Sequence, residues 1–519
     1  MEKINLYLLD GFEEIFFEDT NEYTISIGKH HALNLPHAPA TLFKQSWTTR
    51  KNGIYQCGSF LIFVWINIII RLYQHCDLEE GGSMLSMESR MKNYIKSVVA
   101  LTVSWVLVLV GFIPASASSV LTDKGYQLEQ VVMMSRHNLR TPLSGKGSIA
   151  EKMTSHQWHQ WSIQPGHLTL KGAINETAFG QYYRCYLEDE GFMPVDWVPQ
   201  EGEVSFYANS FQRTIATAKY FSSGMLPVAN VHVVHTKGID EPDPVFFFPL
   251  ELDTPRLYEL GVSYTEQNMP RYLTNGEAML ASFEKVMDFS HSEYAREKGI
   301  EHLDPKDVHF VLGGKDKNVP GFKGSWRDAY KATDALIMQY YEEPDNNKAD
   351  WGTGLTKQDW KNIGDISTRG ISMICENPAL SLRYIHSLLE KMDSDLSNED
   401  KRFSFFCGHD TNIIMLMTVL GAEDYHVPGA IADKAPIGCK IVLEKRRDKD
   451  GELYINPYII YQSDRQIRHC EVLDLNNPPL RYPIKLTGIE ANEDGLYRYS
   501  DFKRLLQDIH AQYAYYTET

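Results

Sequence analysis

Cysteine is scarce: there are seven in 519 residues, none in a CxxC or other paired spacing, and an odd, scattered set argues against a disulfide framework. Basic charge is in deficit. With 51 Lys+Arg against 68 Asp+Glu the formal net charge is −17, so long-range electrostatics disfavour nucleic acid and anionic membrane surfaces as partners. Internal repeats, low-complexity tracts and charge blocks are all missing, which argues against a repeat array or an interaction tail. Neither apolar run, Leu61 to Ile70 or Val98 to Ile113, reaches the roughly 20 residues that span a bilayer. What is there is a globular composition, 43% hydrophobic and 12% aromatic, with 35 Gly and 23 Pro spread along the chain. At roughly 150 residues per domain it allows about two to four domains. A soluble enzyme or small-ligand binder remains, and a local arginine cluster could still hold a small anion.

Residues 87–117 read as a secretion signal. Arg90, Lys92 and Lys96 form a positive n-region, Val98 to Ile113 the apolar core, and Ala115-Ser116-Ala117 a small-x-small cleavage site. Residues 1–86 precede it, although such a signal normally comes first. Met84, Met87 and Met91 lie just upstream of the n-region, and Glu79-Glu80-Gly81-Gly82 is what a purine-rich ribosome-binding site encodes in frame. The expectation is a start assigned too early, or else a leader without a function of its own. Beyond residue 117 the balance is 42 Lys+Arg to 57 Asp+Glu, and five cysteines remain: Cys185, Cys375, Cys407, Cys439 and Cys470. These read as isolated buried thiols.

The remainder alternates strand and helix patterns. Val131-Val132-Met133-Met134 centres a strand over Leu128 to Ser135, apolar on both faces. Thr169 to Phe192 has helical spacing, Val204 to Ala208 is a strand, Ser210 to Phe221 a helix with Ser210 as N-cap, and Val231 to His235 a strand. This favours an α/β class with a mainly parallel sheet over 118–245 and 399–519. Between them, 246–398 reads as an inserted, mostly helical second domain, with helices over Glu277 to Lys298, Trp326 to Glu342 and Leu380 to Met392. The sheet resumes with a strand over Arg402 to Gly408, a helix over Thr411 to Leu420, and strands over Lys440 to Glu444 and Leu453 to Gln462.

Sheets of this kind bind ligands at the carboxyl ends of their strands. Two such ends carry reactive residues: Arg136-His137-Asn138-Leu139-Arg140-Thr141-Pro142, and Gly408-His409-Asp410-Thr411-Asn412. A third segment, Asn209-Ser210-Phe211-Gln212-Arg213, places Arg213 in the first turn of a helix, where free backbone N–H groups favour an anion. Converging guanidiniums with two histidines and a carboxylate suit phosphoryl transfer, whose transition state needs charge stabilisation and in-line positioning. A histidine can serve as nucleophile and a carboxylate as proton donor. The pairs His156/His159 and His232/His235 have metal-like spacing but no evident further ligand. Tyr182, Tyr183, Tyr186, Tyr513, Tyr515 and Tyr516 read as packing or surface residues.

The first segment resembles the RHGxRxP signature of the histidine acid phosphatase family, and GHDTN resembles its HD motif. The resemblance runs over most of 125–515, including ANSFQRTIATA, APIGCKIVLEK and YIIYQSDRQIR. It implies that His137 is the nucleophile, that Asp410 protonates the leaving alcohol, and that Arg136, Arg140, Arg213 and His409 hold the phosphoryl oxygens. No metal or other cofactor is implied. Within the family, Asn138 in place of the usual Gly makes the chain look more like bacterial periplasmic glucose-1-phosphatases than phytases. Gln339-Tyr340-Tyr341-Glu342 resembles the segment whose acidic side chain keeps the pocket to small sugar phosphates, so Asn138 and Glu342 are the expected specificity residues. The cysteines that such relatives carry near Ser290 to Asp304 and Leu486 to Asp501 are missing here.

The expected activity is thus that of an exported acid phosphomonoesterase. Its partner is a small-molecule phosphate ester, with no nucleic acid and no membrane span after signal cleavage. Three alternatives stay open: a phytase, a phosphoglycerate-mutase-like phosphotransferase, and a binding protein that holds phosphate esters without turnover. The presence of Asp410 weighs against a pure binder, which has no use for a proton donor.

Overall fold

The computed structural model describes residues 121–519 apart from 146, 247–251, 314–318 and 519, together with three short strands nearer the N-terminus. Contacts divide the chain into two units, Met1–Ile113 and Pro114–Thr519. In the first unit, Glu14–Phe16, Glu22–Ser26 and Ala32–Pro36 form a three-stranded antiparallel sheet. The secretion signal read over 87–117 and the apolar run Leu61 to Ile70 lie outside the described residues.

The second unit opens with β1 (Gln127–Arg136), followed by α1 (Leu170–Asp189), β2 (Val204–Ala208), α2 (Gln212–Met225) and β3 (Val233–Val234). A helical stretch carries α3 (Pro255–Tyr272), α4 (Gly276–Met287), the hairpin β4 (His309–Gly313) and β5 (Val319–Lys323), α5 (Ser325–Glu342), α6 (Lys357–Cys375) and α7 (Pro378–Ser397). The chain then gives β6 (Phe403–Gly408), α8 (Asp410–Val419), β7 (Lys440–Arg447), β8 (Leu453–Tyr461), α9 (Asp464–His469), β9 (Leu480–Pro483), β10 (Tyr497–Arg498) and α10 (Tyr499–Thr517).

Eight strands make one mixed sheet in the order β9-β8-β7-β1-β6-β2-β3, with β10 also pairing β8. The links β1–β6, β6–β2 and β2–β3 are parallel, and the links among β1, β7, β8, β9 and β10 are antiparallel, so five of the eight strands share the direction of β1. This is the expected α/β class. The uninterrupted apolar run of β1 serves two cores at once: Val131 and Met133 pack with Phe179, Tyr183 and Phe221 of α1 and α2, while Val132 and Met134 pack with Ile385, Leu388 and Ile414 of α7 and α8. Alternation along a strand sends neighbours to opposite faces, so a central strand with helices on both sides must be apolar throughout.

Several local readings need correction. Ser210 does not cap α2, because its hydroxyl accepts the Lys237 N–H; Phe211 holds the cap position, and Asp240 Oδ1 accepts the Gln212 N–H at 3.2 Å. The helix expected over Glu277 to Lys298 breaks at Asp288, whose φ of 48° is left-handed, and restarts with Ser292 capping Glu293–Lys298. α7, read as part of the helical insert, packs against the sheet in the same core as Val132 and Phe406. The five later cysteines are unpaired, but only Cys375, Cys407 and Cys439 are buried, Cys185 and Cys470 being half-buried; Tyr182, Tyr183 and Tyr186 are buried in the core.

α1 and α2 touch backbone to backbone. A Cβ on Gly180 would stand 2.2 Å from the Phe221 carbonyl oxygen, and one on Gly224 would stand 2.2 Å from that of Thr177. Alanine's helix propensity is worth about 0.8–1.0 kcal/mol over glycine, whereas overpacking costs about 1–3 kcal/mol. Gly180→Ala is therefore expected to destabilise, lowering the urea midpoint of unfolding; an equal or higher midpoint would mean that the two helices do not cross through this contact.

Candidate active site

β1 and β6 pair in parallel with Arg136 opposite Gly408, and β2 pairs β6 with Ala208 opposite Cys407. All three strands end on one edge, so His137, His409 and Asn209 leave the sheet side by side. The His137 N–H donates to Gly408 O and the Asn209 N–H to Cys407 O, each at 2.9 Å. The two histidine rings meet edge to face with centroids 5.5 Å apart.

His137 is 3% exposed, and its Nδ1 lies 2.9 Å from the carbonyl oxygen of Asn138. A carbonyl only accepts, so Nδ1 carries the proton and Nε2 keeps its lone pair. Burial, then the charges of Arg213, Arg140, His409 and Arg136, hold the ring's pKa well below the ordinary 6.5. The imidazole thus stays neutral and nucleophilic where a free histidine protonates.

His409 has the opposite tautomer for an equally local reason. Asn209 Oδ1 accepts the N–H groups of Ser210 (2.9 Å) and Asp243 (3.0 Å), which fixes the amide and turns Nδ2 onto His409 Nε2 at 2.8 Å. Nε2 therefore accepts, and Nδ1–H is left to donate. Its neighbour is Arg213 Nη2 at 3.4 Å. Two N–H donors facing the same space do not bond each other, and an anion between them satisfies both. Burial and the three arginines keep His409 neutral too, with a pKa well below 6.5.

Each arginine is anchored. Arg136 donates through Nη1 to Ala435 O and through Nη2 to Asp410 Oδ2 at 3.1 Å. Arg140 donates to Thr141 O at 3.0 Å and forks onto Asp334, Nη2 to Oδ1 at 2.7 Å and Nη1 to Oδ2 at 3.2 Å. Arg213 lies 4.6 Å above the Phe211 ring and, among the described residues, pairs with no carboxylate. Burial and the charge of Arg140 lower its pKa to about 10. Asp410 opens α8, its Oδ1 accepting the Thr411 N–H at 2.9 Å. The structure thus brings together Arg136, His137, Arg140, Arg213, His409 and Asp410.

The two expected specificity residues have partners of their own. Asn138 is fully buried: Nδ2 donates to Glu176 Oε2 at 2.7 Å and Oδ1 accepts the Leu139 N–H at 2.8 Å, so the side chain points into the protein rather than toward a ligand. The carboxyl of Glu342 has Lys171, His159 and Thr169 as its neighbours, and burial raises its pKa. Besides Asp410, Asp334 faces the arginines with its carboxylate, two turns before Glu342 on α5. Burial pushes its pKa up, and the Arg140 guanidinium with the Leu143 N–H, 3.0 Å from Oδ2, more than reverses this. Neither Asp334 nor Asn209 was picked out from the sequence. His159 pairs with Glu343 at 2.8 Å and His156 stacks on Trp351. Among the described residues no group of three or more His, Cys, Asp or Glu could hold a metal ion.

The profile of the histidine phosphatase superfamily (branch 2) matches residues 127–314. Glucose-1-phosphatase of Salmonella typhimurium is 30% identical over 407 residues, 77% of this chain and 96% of that protein. The chain belongs to the histidine phosphatase superfamily, branch 2. Glucose-1-phosphatase of Providencia rettgeri is 28% identical across 76% of this phosphatase and 95% of its own length. Among solved structures, the phytase from Citrobacter braakii superposes with a TM-score of 0.67 at 25% identity, covering 74% of this chain and 98% of that one. This histidine acid phosphatase is an acid phosphomonoesterase.

The electrostatics around His137 set a pH dependence. Removing the positive charge of Arg213 makes the imidazolium easier to form, so Arg213→Met is expected to move the acid limb of the kcat/KM profile to higher pH, besides lowering the rate. A limb that stays in place, or moves to lower pH, would mean that His137 is not the group titrating there.

Proposed function

We propose that this phosphatase is exported and hydrolyses small sugar phosphates of the glucose 1-phosphate kind through a phosphohistidine on His137. The observation that carries the mechanism is the opposed hydrogen bonding of the two rings, His137 Nδ1 on a carbonyl and His409 Nε2 on an amide NH2, which assigns an unprotonated Nε2 to His137 and an Nδ1–H donor to His409, with three guanidiniums around them. The His137 Nε2 lone pair attacks phosphorus, the N–P bond forms as the ester P–O bond breaks, and Asp410 gives its proton to the leaving oxygen. Water then attacks phosphorus, Asp410 takes its proton, the N–P bond breaks and inorganic phosphate leaves. Arg136, Arg140, Arg213 and His409 Nδ1–H hold the three equatorial oxygens throughout.

Substrate size is assigned to Asp334 in place of Glu342. A carboxylate at the margin of the arginine cluster repels a ring crowded with further phosphates, and it tolerates or hydrogen-bonds the hydroxyls of a sugar. The names of the two glucose-1-phosphatase relatives support the same reading. Export rests on residues 87–117, and an N-terminal sequence starting at Ser118 in the exported protein would bear it out.

The test compares kcat/KM for glucose 1-phosphate and phytate at about pH 5 with chelator present, using the chain from Ser118. A preference for the sugar phosphate is expected. Asp334→Asn should shift the ratio toward phytate by about tenfold or more, since like charges across a binding site cost on the order of several kcal/mol. Asp410→Asn should lower kcat by about 10²–10⁴-fold with phosphate binding retained. A wild-type preference for phytate would overturn the specificity assignment, and unaltered turnover in Asp410→Asn would remove the proton donor.

A further inference from the structure

Behind the nucleophile lies a charged pair that no substrate can reach. Lys440 Nζ and Glu176 Oε1 are 2.9 Å apart and both side chains are 0% exposed. The ammonium also donates to Gly438 O at 2.8 Å and stands 4.1 Å from the centroid of the Phe179 ring, with Phe221 and Phe405 beyond. An ion pair so enclosed contributes no more to stability than well-packed apolar side chains of the same volume. Its connections are more informative than its charge.

Both members lead to the backbone of the nucleophile. Glu176 Oε2 accepts from Asn138 Nδ2 at 2.7 Å, and it is the carbonyl of Asn138 that accepts the His137 Nδ1 proton. The Asn138 N–H donates in turn to Thr217 Oγ1 at 3.1 Å. On the other side, the Gly438 carbonyl held by Lys440 belongs to the residue whose N–H donates to His137 O at 3.3 Å. Gly438 has a φ of +67°, and a Cβ there would come within 2.6 Å of Asn138 Nδ2, so the residue closes the box around the asparagine. The backbone from His137 to the Asn138 carbonyl, on which the tautomer of the nucleophile depends, is thus held on one side through the Asn138 side chain by Glu176 and on the other through Gly438 by Lys440.

We propose that Lys440 and Glu176 are positioning residues for His137, acting through Asn138 and Gly438. Asn138 is then a positioning residue itself rather than a reader of substrate. This rests on the assignment of His137 as nucleophile.

The apolar double variant Glu176→Leu/Lys440→Met tests the inference. Removing both charges together leaves no unpaired buried ion, so the variant is expected to fold with an unfolding midpoint near or above that of the parent. Its kcat and its single-turnover rate of phosphoryl transfer should fall about 100-fold, as small misplacements of a reacting group do, with KM and the inhibition constant of inorganic phosphate unchanged. Asn138→Ala, which cuts the link and leaves the ion pair, should lose a similar factor, and the triple variant should lose little more, because the three act as one unit. A folded double variant with parental kcat would overturn the inference. Should that variant fail to fold, Asn138→Ala with parental kcat overturns it equally. His137→Ala separates the two readings: turnover that survives it contradicts the nucleophile assignment, whereas turnover abolished there and parental in the other variants contradicts the positioning role alone.

Discussion

The parallel pairing of β1 with β6 is the contact from which the active site hangs. Its register places Arg136 beside Gly408, so the residues immediately after the two strands, His137 and His409, emerge together although far apart in the chain. The same edge receives Asn209 from β2, and the first turn of α8 delivers Asp410 to Arg136. The two imidazoles then need opposite protonation on their ring nitrogens, one to attack and one to donate. Backbone hydrogen bonds supply this, through the Asn138 carbonyl for His137 and, for His409, through an asparagine amide whose own orientation two N–H groups settle.

The second constraint is charge. Three guanidiniums and two rings share a largely buried pocket, and burial first, then the neighbouring positive charges, lower the pKa values of Arg213, His137 and His409. The fold tolerates the arrangement by fixing each cation to something that does not move: a carbonyl for Arg136, a carbonyl and Asp334 for Arg140, and an aromatic face for Arg213. Donors held apart in this way are already oriented for a phosphoryl group, so little reorganisation remains when charge develops on it. Keeping both histidines neutral is the companion effect, since an imidazolium at His137 has no lone pair to offer.

Much of this was legible because the chemistry sits in short segments directly after strands, where motif and position in the sheet coincide. RHNLRTP and GHD could be placed at carboxyl strand ends from the apolar runs before them, and the alternation of strand and helix patterns indicated the α/β class. What stayed hidden depends on docking. Asp334 meets Arg140 across 194 residues, and periodicity within α5 does not say whether Asp334 or Glu342 turns to the site. Asn138 lies between His137 and Arg140 in sequence, yet its side chain leaves on the opposite side. Glu176 in a helix and Lys440 at a strand start look like surface charges until the sheet and α1 close over them. The break at Asp288 was missed because apolar spacing continues through a residue that adopts left-handed backbone.

The most direct measurement is the position of the phosphoryl group on the trapped intermediate. The chain from Ser118 is mixed with glucose 1-phosphate, quenched in alkali within the first turnover, and the phosphohistidine located by peptide mapping and phosphorus NMR. The expected result is a label on His137 at Nε2, because Nδ1 is engaged by the Asn138 carbonyl. A label on Nδ1, on His409 or on another residue would contradict the assignment of nucleophile and tautomer, as would full turnover without any covalent phosphoenzyme.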